Sequence, residues 1–203
     1  RSSAASDVYK RQGYMAGYFA CLASHTKKVG LVIAQPIPAY QRAAGGAIDG
    51  VTAGCGSASD ELKIWTGTFS DNVTTKQAAE ALIAKGADVI FDFQDAGSIG
   101  VQEAVREHPN VKYVSAEGPV TTLPKQIVVS IEPQYAIGYA SAAKLMASKQ
   151  LQPKVYLSAV ADGAFRLTPF TNVSPSVASK GEALFHDLGT GKVVVNENHL
   201  VSQ

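Results

Sequence analysis

The sequence predicts an α/β fold built on a doubly wound, mostly parallel β-sheet. Two features of the 203 residues lead to this prediction. Short apolar runs rich in β-branched and aromatic residues alternate with segments of helical periodicity of roughly 10–15 residues, and this alternation is typical of βαβ units. The apolar runs also end abruptly in polar turns that contain Gly or Pro, as strands do where they lead into crossover helices.

The apolar runs and the periodic segments can be assigned one by one. Strands are predicted at residues 28–34, 62–69, 87–93, 111–115, 126–131 and 154–160. Helices are predicted at residues 13–24, 41–53, 75–86, 99–105, 134–148 and 175–188. Ser70 or Asp71 is suited to cap the start of the third helix, and Gly86 is suited to end it.

Composition and charge exclude several classes of protein. The formal net charge is +1 and charged residues make up 17% of the chain, so there is no electrostatic basis for binding nucleic acid or an anionic membrane surface. No apolar run reaches the roughly 18 residues of a membrane span. Cys21 and Cys55 permit one disulfide, although two free thiols are at least as consistent with their surroundings, and they lack the companions that a zinc site needs.

Residues 1–12, RSSAASDVYKRQ, differ from the rest of the chain. They are polar, show no apolar periodicity and run into the first predicted helix without an evident capping residue. A non-native segment and a natural polar tail are equally consistent with this composition. In both cases we predict a tail outside the fold and place the first folded residue at Gly13.

Polar and aromatic side chains follow three of the predicted strands at the point where each strand ends. The turns are Gln35–Arg42, Phe93–Ser98 and Ser115–Pro119. The carboxyl ends of parallel strands meet at one edge of a sheet, where ligands bind in open α/β folds. The sequence therefore predicts a site for a polar, ring-bearing small molecule, with these ligand-binding residues: Tyr40, Phe93, Gln94, Asp95 and Glu117.

Each predicted residue has a chemical role in this interpretation. Tyr40 or Phe93 would stack on the ring of the ligand, while Gln94, Asp95 and Glu117 would bond its polar edge, the carboxylates accepting from adjacent hydroxyls as on a ribose. Two simpler interpretations have equal weight: a helix N-cap for Asp95 and an exposed loop charge for Glu117.

The sequence offers little support for an enzyme. It has no phosphate-binding GxxxxGK[ST] loop, no GxGxxG fingerprint and no GxSxG nucleophile turn. The four histidines fall at element ends or in polar surroundings, and no nucleophile, base and orienting group are brought together. We therefore predict no catalytic residues, no cofactor and no metal.

Four segments, taken in order, resemble one protein family. They are GYMAG, KVGLVIAQPIPAYQRAAGGAIDGV, TGTFSDNVTTKQAAEALIAKGADVIF and GSIGVQEAV, within residues 13–148. This succession resembles the basic membrane protein family of ABC-transporter substrate-binding proteins, which includes bacterial purine-nucleoside receptors. The resemblance implies a type I periplasmic-binding-protein-like fold, a nucleoside-like ligand, an ABC permease as partner, and a periplasmic or cell-surface lipoprotein.

The resemblance also implies a division of the chain into lobes. Residues 13–130 would form the second, ligand-binding lobe with its lead-in helix, and residues 131–203 the returning segment of an incomplete first lobe. Relatives carry a signal peptide, a lipid anchor and half of a first lobe, which would precede Gly13 and are not in this chain. Residues 149–203 would then expose apolar surface.

Two positions depart from the family pattern. Where relatives have an Asp-x-Asp pattern only Glu117 is acidic, and Pro133 stands where relatives place a basic residue. Either the ligand is not a nucleoside, or a nucleoside is held differently. Two other classes remain as alternatives: the effector-binding domain of a transcriptional regulator, which shares the two-lobed architecture, and a small α/β nucleoside-processing enzyme.

Overall fold

The computed structural model describes residues 4–57, 62–152, 163–196 and 199–201, with side chains from Val8 onward. Within these residues the sheet has six strands: β1 Val29–Ile33, β2 Lys63–Trp65, β3 Val89–Phe93, β4 Lys112–Ser115, β5 Ile127–Pro133 and β6 Phe165–Leu167. The strand order is β2-β1-β3-β4-β5-β6. Strands β1 to β5 are parallel to their neighbours, and β6 pairs antiparallel with β5 at one edge.

The described residues form six α-helices. They are α1 Ala4–Ala23, α2 Pro38–Cys55, α3 Asn72–Ala84, α4 Ser98–Glu107, α5 Tyr135–Ala147 and α6 Pro175–Gly189, with a 3-10 turn at Asp95–Gly97. Alternate residues of β3 face opposite sides of the sheet. Phe91 packs with α1 and α2 on one side, and Ile90 packs with α3 and α4 on the other. The predicted doubly wound parallel sheet is therefore confirmed. Among the described residues, no helix is long and apolar enough to cross a membrane.

Local signals in the sequence place several element ends correctly. Asp71 caps α3 by accepting the backbone N–H groups of Val73 and Thr74, at 3.0 and 3.2 Å. Gly86 follows the end of that helix with φ of 94°, a conformation that favours glycine. The second strand is shorter than predicted, and the predicted strand at 154–160 lies outside the described residues.

The start of the chain corrects one prediction. Helix α1 begins at Ala4 rather than at Gly13, so most of the segment predicted as a tail outside the fold is helical. Lys10 and Gln12 are each only 1% exposed. The amide of Gln12 donates to the backbone carbonyl of Ala116, which follows β4. The two residues are 104 positions apart, so the local pattern of apolar residues does not indicate this contact. For this reason the polar composition of the segment led to the wrong prediction of a tail.

Helices α1 and α2 pack closely and are joined by a disulfide. A Cβ atom on Gly50 would collide with the backbone oxygen of Tyr14, so the two helices approach at a distance that only glycine permits. Cys21 and Cys55 are bonded, with their Cα atoms 5.6 Å apart. The sequence alone left a disulfide and two free thiols open. The two cysteines are 34 positions apart, and only the packing of α1 against α2 brings them within bonding distance.

Described residues on both sides of position 131 contribute to one core, and the division of the chain into two lobes stays a prediction. Strand β6 extends the sheet by pairing with β5, and Leu184 and Leu188 of α6 are buried in the same cluster as α1. Most of the described residues after 163 therefore belong to the same packed unit as residues 13–130. Helix α5 differs because it has no buried residue, and it exposes Tyr135, Tyr139 and Met146 by 54%, 75% and 62%.

Candidate ligand-binding site

The candidate site lies where the carboxyl ends of β1, β3 and β4 meet. These strands are adjacent in the sheet, and the backbone N–H of Ala34 donates to the carbonyl of Phe93 at 2.9 Å just beyond the paired residues. The three turns that the sequence singled out therefore lie at one edge, as predicted. Parallel strands order their ends in this way because each crossover helix returns the chain to the opposite edge.

Glu117 ties two of these turns together. Its Oε2 atom accepts the backbone N–H groups of Gln94 and Asp95 at 3.0 and 2.8 Å. Its Oε1 atom lies 3.5 Å from the hydroxyl of Tyr40, at the outer limit of a hydrogen bond. The simpler interpretation of Glu117, an exposed loop charge, is therefore wrong. Its side chain is held among the turns of the candidate site.

The protonation of Glu117 is shifted by its surroundings. The pKa of this carboxyl is raised to about 7, mainly by burial and also by the charge of Asp92, while the backbone N–H groups of Asp95 and Gln94 oppose the rise. Asp92 on β3 is 1% exposed, and burial raises its pKa to about 6 against hydrogen bonds from Ser98 and Tyr113. Two interacting buried carboxyls therefore lie at the base of the site.

Asp95 and Gln94 take different positions in the turn after β3. Asp95 is exposed and has φ of 55°, a left-handed conformation that is uncommon for residues other than glycine. Gln94 is fully buried, and its Oε1 atom accepts the hydroxyl of Thr66 at 3.1 Å. Its side chain is therefore engaged with the turn after β2, and its backbone N–H is the group that meets Glu117.

The aromatic side chains form a connected cluster beside Glu117. The ring of Tyr40 lies 5.5 Å from Phe69, 5.9 Å from Tyr9 and 6.3 Å from Phe93. Phe93 has no exposed surface and Tyr40 is 6% exposed, so in this structure both rings support the cluster from below. Phe69 and Tyr9 are half-buried and are the rings with accessible surface.

Sequence reasoning missed four residues of this arrangement. Tyr9 lies in the segment that was assigned to a tail, and Phe69 lies at the end of the predicted strand 62–69, outside the three turns that the sequence singled out. Tyr135 opens α5, and burial together with the charges of Tyr9, Glu117 and Asp95 raises its pKa to about 12. Asp92 had a usable signal, because it is the one acid inside the apolar run VIFDF.

A polar cavity of about 210 Å³ opens beside Glu117. It lies between the start of α4 and the end of β4, and its lining includes Asp95, Ser98, Gln102, Tyr113, Ser115 and Glu117. Among the described residues, no group of three His, Cys, Asp or Glu side chains is arranged to hold a metal ion. The edge of the sheet thus combines aromatic surface, the exposed carboxylate of Asp95, the partly buried carboxyl of Glu117 and a polar cavity.

Comparison of the sequence with protein families identifies the class. Residues 8–162 match the Bmp family, described as ABC transporter substrate-binding protein PnrA-like. The chain belongs to the Bmp family. The match spans more than half of the 203 residues and begins at Val8, which lies inside the segment that the sequence reading had assigned to a tail. A comparison with curated protein sequences found no significant match.

Solved structures resemble the Bmp-family chain in fold. A solute-binding protein of an ABC transporter system from Conexibacter woesei superposes with a TM-score of 0.75 at 21% identity, covering 95% of this chain and 64% of that protein. One from Aeropyrum pernix gives 0.71 at 17% identity, covering 97% and 66%. A transcriptional activator of the comK gene from Bacillus halodurans gives 0.71 at 22% identity, covering 90% and 63%.

These comparisons bear on the predicted fold and family of the chain. The predicted type I periplasmic-binding-protein-like fold is confirmed, as is the predicted family. The chain spans about 64% of the length of the Conexibacter protein. At these identities the structural likeness establishes the fold alone.

Proposed function

We propose that this Bmp-family chain is the solute-binding component of an ABC importer and binds a small, polar, ring-bearing compound, in the first instance a purine nucleoside. The observation that carries the proposal is the convergence of Glu117, Asp95 and the aromatic cluster at one edge of the sheet. This combination is suited to a ligand with an apolar ring and a hydroxyl-bearing edge.

The proposed binding mode divides the ligand between two surfaces. The purine ring packs against the accessible faces of Phe69 and Tyr9, while the ribose hydroxyls donate to the carboxylates of Asp95 and Glu117. Closure of a second lobe over this edge excludes water, and no chemical step takes place. Gln94 contributes through its backbone, and Phe93 and Tyr40 support the rings that touch the ligand.

The partner and the location follow from the same proposal. A receptor of this class delivers its solute to an ABC permease outside the cytoplasm, as a periplasmic or cell-surface protein held by a lipid anchor. The disulfide between Cys21 and Cys55 suits such a compartment, because disulfides persist where the surroundings are oxidising.

One alternative has an observation in its favour. The similarity to the comK activator, with a TM-score of 0.71, equals that to the Aeropyrum solute-binding protein. An effector-binding domain of a regulator would use the same sheet edge for its ligand. Such a domain would also change its affinity for DNA or a partner subunit on binding, whereas a solute receptor would stimulate transport by a permease.

Thermal unfolding of the 203-residue chain tests the proposed ligand class. Adenosine, guanosine and inosine are compared with ribose, adenine, galactose and amino acids. A ligand at about 100 times its Kd adds about 2.7 kcal/mol to the folded state, which shifts Tm by roughly 5–10 °C in a chain of this size. We expect a shift with the nucleosides and none with ribose alone.

Two variants connect the shift to the site. Asp95→Asn keeps a residue that tolerates the left-handed conformation and removes the charge, so it should abolish most of the shift. Asp187→Asn on α6 is the matched control and should leave it unchanged. A shift with another class of compound would overturn the nucleoside assignment, and no shift with any compound would overturn the receptor.

A further inference from the structure

We propose that the solute carries a positive charge, and that the cavity beside Glu117 is the subsite for its cationic group. This inference rests on the proposed function as a solute receptor and names the chemistry of its ligand, with the cationic group rather than the ribose hydroxyls placed against Glu117. It predicts that the site selects a cationic ring compound over a neutral one of the same shape.

The cavity is lined by acceptors. Besides the carboxylates of Asp95 and Glu117, it contains Gln102, whose Oε1 atom accepts the hydroxyl of Thr122 at 2.6 Å. Ser115 donates its hydroxyl to the carbonyl of Gly118 at 2.6 Å, so that hydroxyl presents its lone pairs to other groups. A ligand group that donates hydrogen bonds would therefore meet several acceptors in this space.

A third carboxylate lies directly behind the cavity wall. Asp92 is 1% exposed, and its Oδ1 atom accepts the hydroxyl of Tyr113, which lines the cavity. Within the described part of the chain, its Oδ2 atom has no partner of hydrogen-bond geometry. A buried carboxylate oxygen without a partner is unfavourable, so a hydrogen-bond donor that reached this oxygen would be stabilised.

The acids at this edge act on one another. The charges of Asp92 and Asp95 both help to raise the pKa of the Glu117 carboxyl, for which burial is the largest cause. The N-terminus of α4 lies at the cavity and contributes roughly half a positive charge. A cationic ligand beside these acids would relieve their mutual repulsion and favour the ionised form of Glu117.

Aromatic rings flank the same carboxylates. The charges of Glu117 and Asp95 help to raise the pKa values of Tyr9, Tyr40 and Tyr135, for which burial is the largest cause. The three tyrosines therefore lie within electrostatic range of both acids. Rings beside carboxylates form the surroundings that bind organic cations, because ring faces attract positive charge as the carboxylates do.

The space favours an organic cation over a metal ion. About 210 Å³ exceeds the roughly 30 Å³ that one water molecule occupies in the liquid, so the cavity has room for several atoms. The described residues also lack a group of three side chains arranged to ligate a metal. A protonated or alkylated nitrogen on a ring, or an aminoalkyl group, matches both the size and the acceptor lining.

Isothermal titration of the full chain with matched pairs tests the inference. 1-Methyladenosine and N6-methyladenosine are isomers, and at pH 7 the first is a cation and the second is neutral. Tyramine and its neutral alcohol analogue, tyrosol, form a second pair without a nucleoside. We expect each cation to bind at least about tenfold more tightly than its neutral partner.

Charge-removing variants locate the preference. Asp92→Asn and Glu117→Gln keep the shape of each side chain and should each reduce the preference by about threefold or more. Glu103→Gln, on the outer part of α4, is the matched control and should retain it. Melting curves verify that each variant is folded, and a preference unchanged in both Asp92→Asn and Glu117→Gln would overturn the assignment of this cavity.

The ligand pairs separate this inference from the proposed function. If both methyladenosines bind equally, the charge selection is wrong while the nucleoside receptor stands. If tyramine binds and neither nucleoside does, the nucleoside class is wrong while the cationic subsite stands. If none of the four compounds binds, both proposals are overturned.

Discussion

The carboxylate of Glu117 accepts the backbone N–H of Asp95 at 2.8 Å, although the two residues follow different strands and are 22 positions apart. A second bond from Gln94 to the same oxygen makes the turn after β3 dependent on the turn after β4. The shape of the candidate site and the ionisation of its acid are therefore linked, and both can be measured.

The stability of the protein should fall as pH rises from about 4.5 to 7. Glu117 has a pKa of about 7 in the folded chain against an ordinary 4.5, so the folded state retains a proton that the unfolded state has released. A shift of this size corresponds to about 3 kcal/mol that stabilises the fold at low pH and is lost through this window. Urea unfolding at pH 5 and pH 8 measures the difference.

The variant Glu117→Gln identifies the source of this pH dependence. Glutamine cannot ionise, so the free energy of unfolding should change less between pH 5 and pH 8 than in the wild type. Glu103→Gln should keep the wild-type change. Asp92, whose pKa is raised to about 6, acts in the same direction and accounts for the change that remains in the variant, whereas carboxyls with lowered pKa values, such as Asp88, act below this window. An equal loss of stability in Glu117→Gln and the wild type would contradict the assignment.

The left-handed backbone of Asp95 should respond to the side chain placed there. A β-branched residue is strongly disfavoured at φ of 55°, so Asp95→Val should lower the free energy of unfolding by about 1–3 kcal/mol. Asp95→Gly should not destabilise by more than about 0.5 kcal/mol, because glycine adopts this conformation without strain. Urea unfolding compares the two, and equal losses would show that backbone strain is not the cause.

The disulfide should contribute a large part of the stability. Cys21 and Cys55 close a loop with a sequence separation of 34, and restricting the unfolded chain by such a loop is worth roughly 2–4 kcal/mol. The double variant Cys21→Ser, Cys55→Ser should lose this amount in urea unfolding. Reductant should bring the wild type to the same midpoint and leave the double variant unchanged. A wild-type midpoint insensitive to reductant would refute the contribution.

The contact between α1 and α2 should not tolerate a methyl group. In Gly50→Ala the new Cβ would overlap the backbone oxygen of Tyr14, and a helix must move to accommodate it. We expect a loss of about 2–3 kcal/mol in chemical unfolding. Thr52→Ala, exposed on the same helix, should change stability by less than about 0.5 kcal/mol, and a similar effect of both would argue against the close approach.

The sequence alone located most of the strands and the three turns that form the site. Apolar runs such as 87–93 predict buried strands from local composition, and the polar residues that follow predict where each strand ends. The capping of α3 by Asp71 is likewise a contact within four residues. Such features can be read from short windows because their partners are close in the chain.

Tertiary structure decided how the residues of those turns are used. The parallel register places Asp92 opposite Ser115, and strand order brings Glu117 to the N–H groups after β3. The tertiary structure also packs the buried ring of Phe93 against Tyr40, and it places the amide of Gln12 where it donates to the carbonyl of Ala116. The periodicity of apolar residues indicates which face of a helix or strand is buried. It does not indicate which residues that face contacts, because those residues lie far away in the sequence. The chemistry of the site therefore depends on the folded chain.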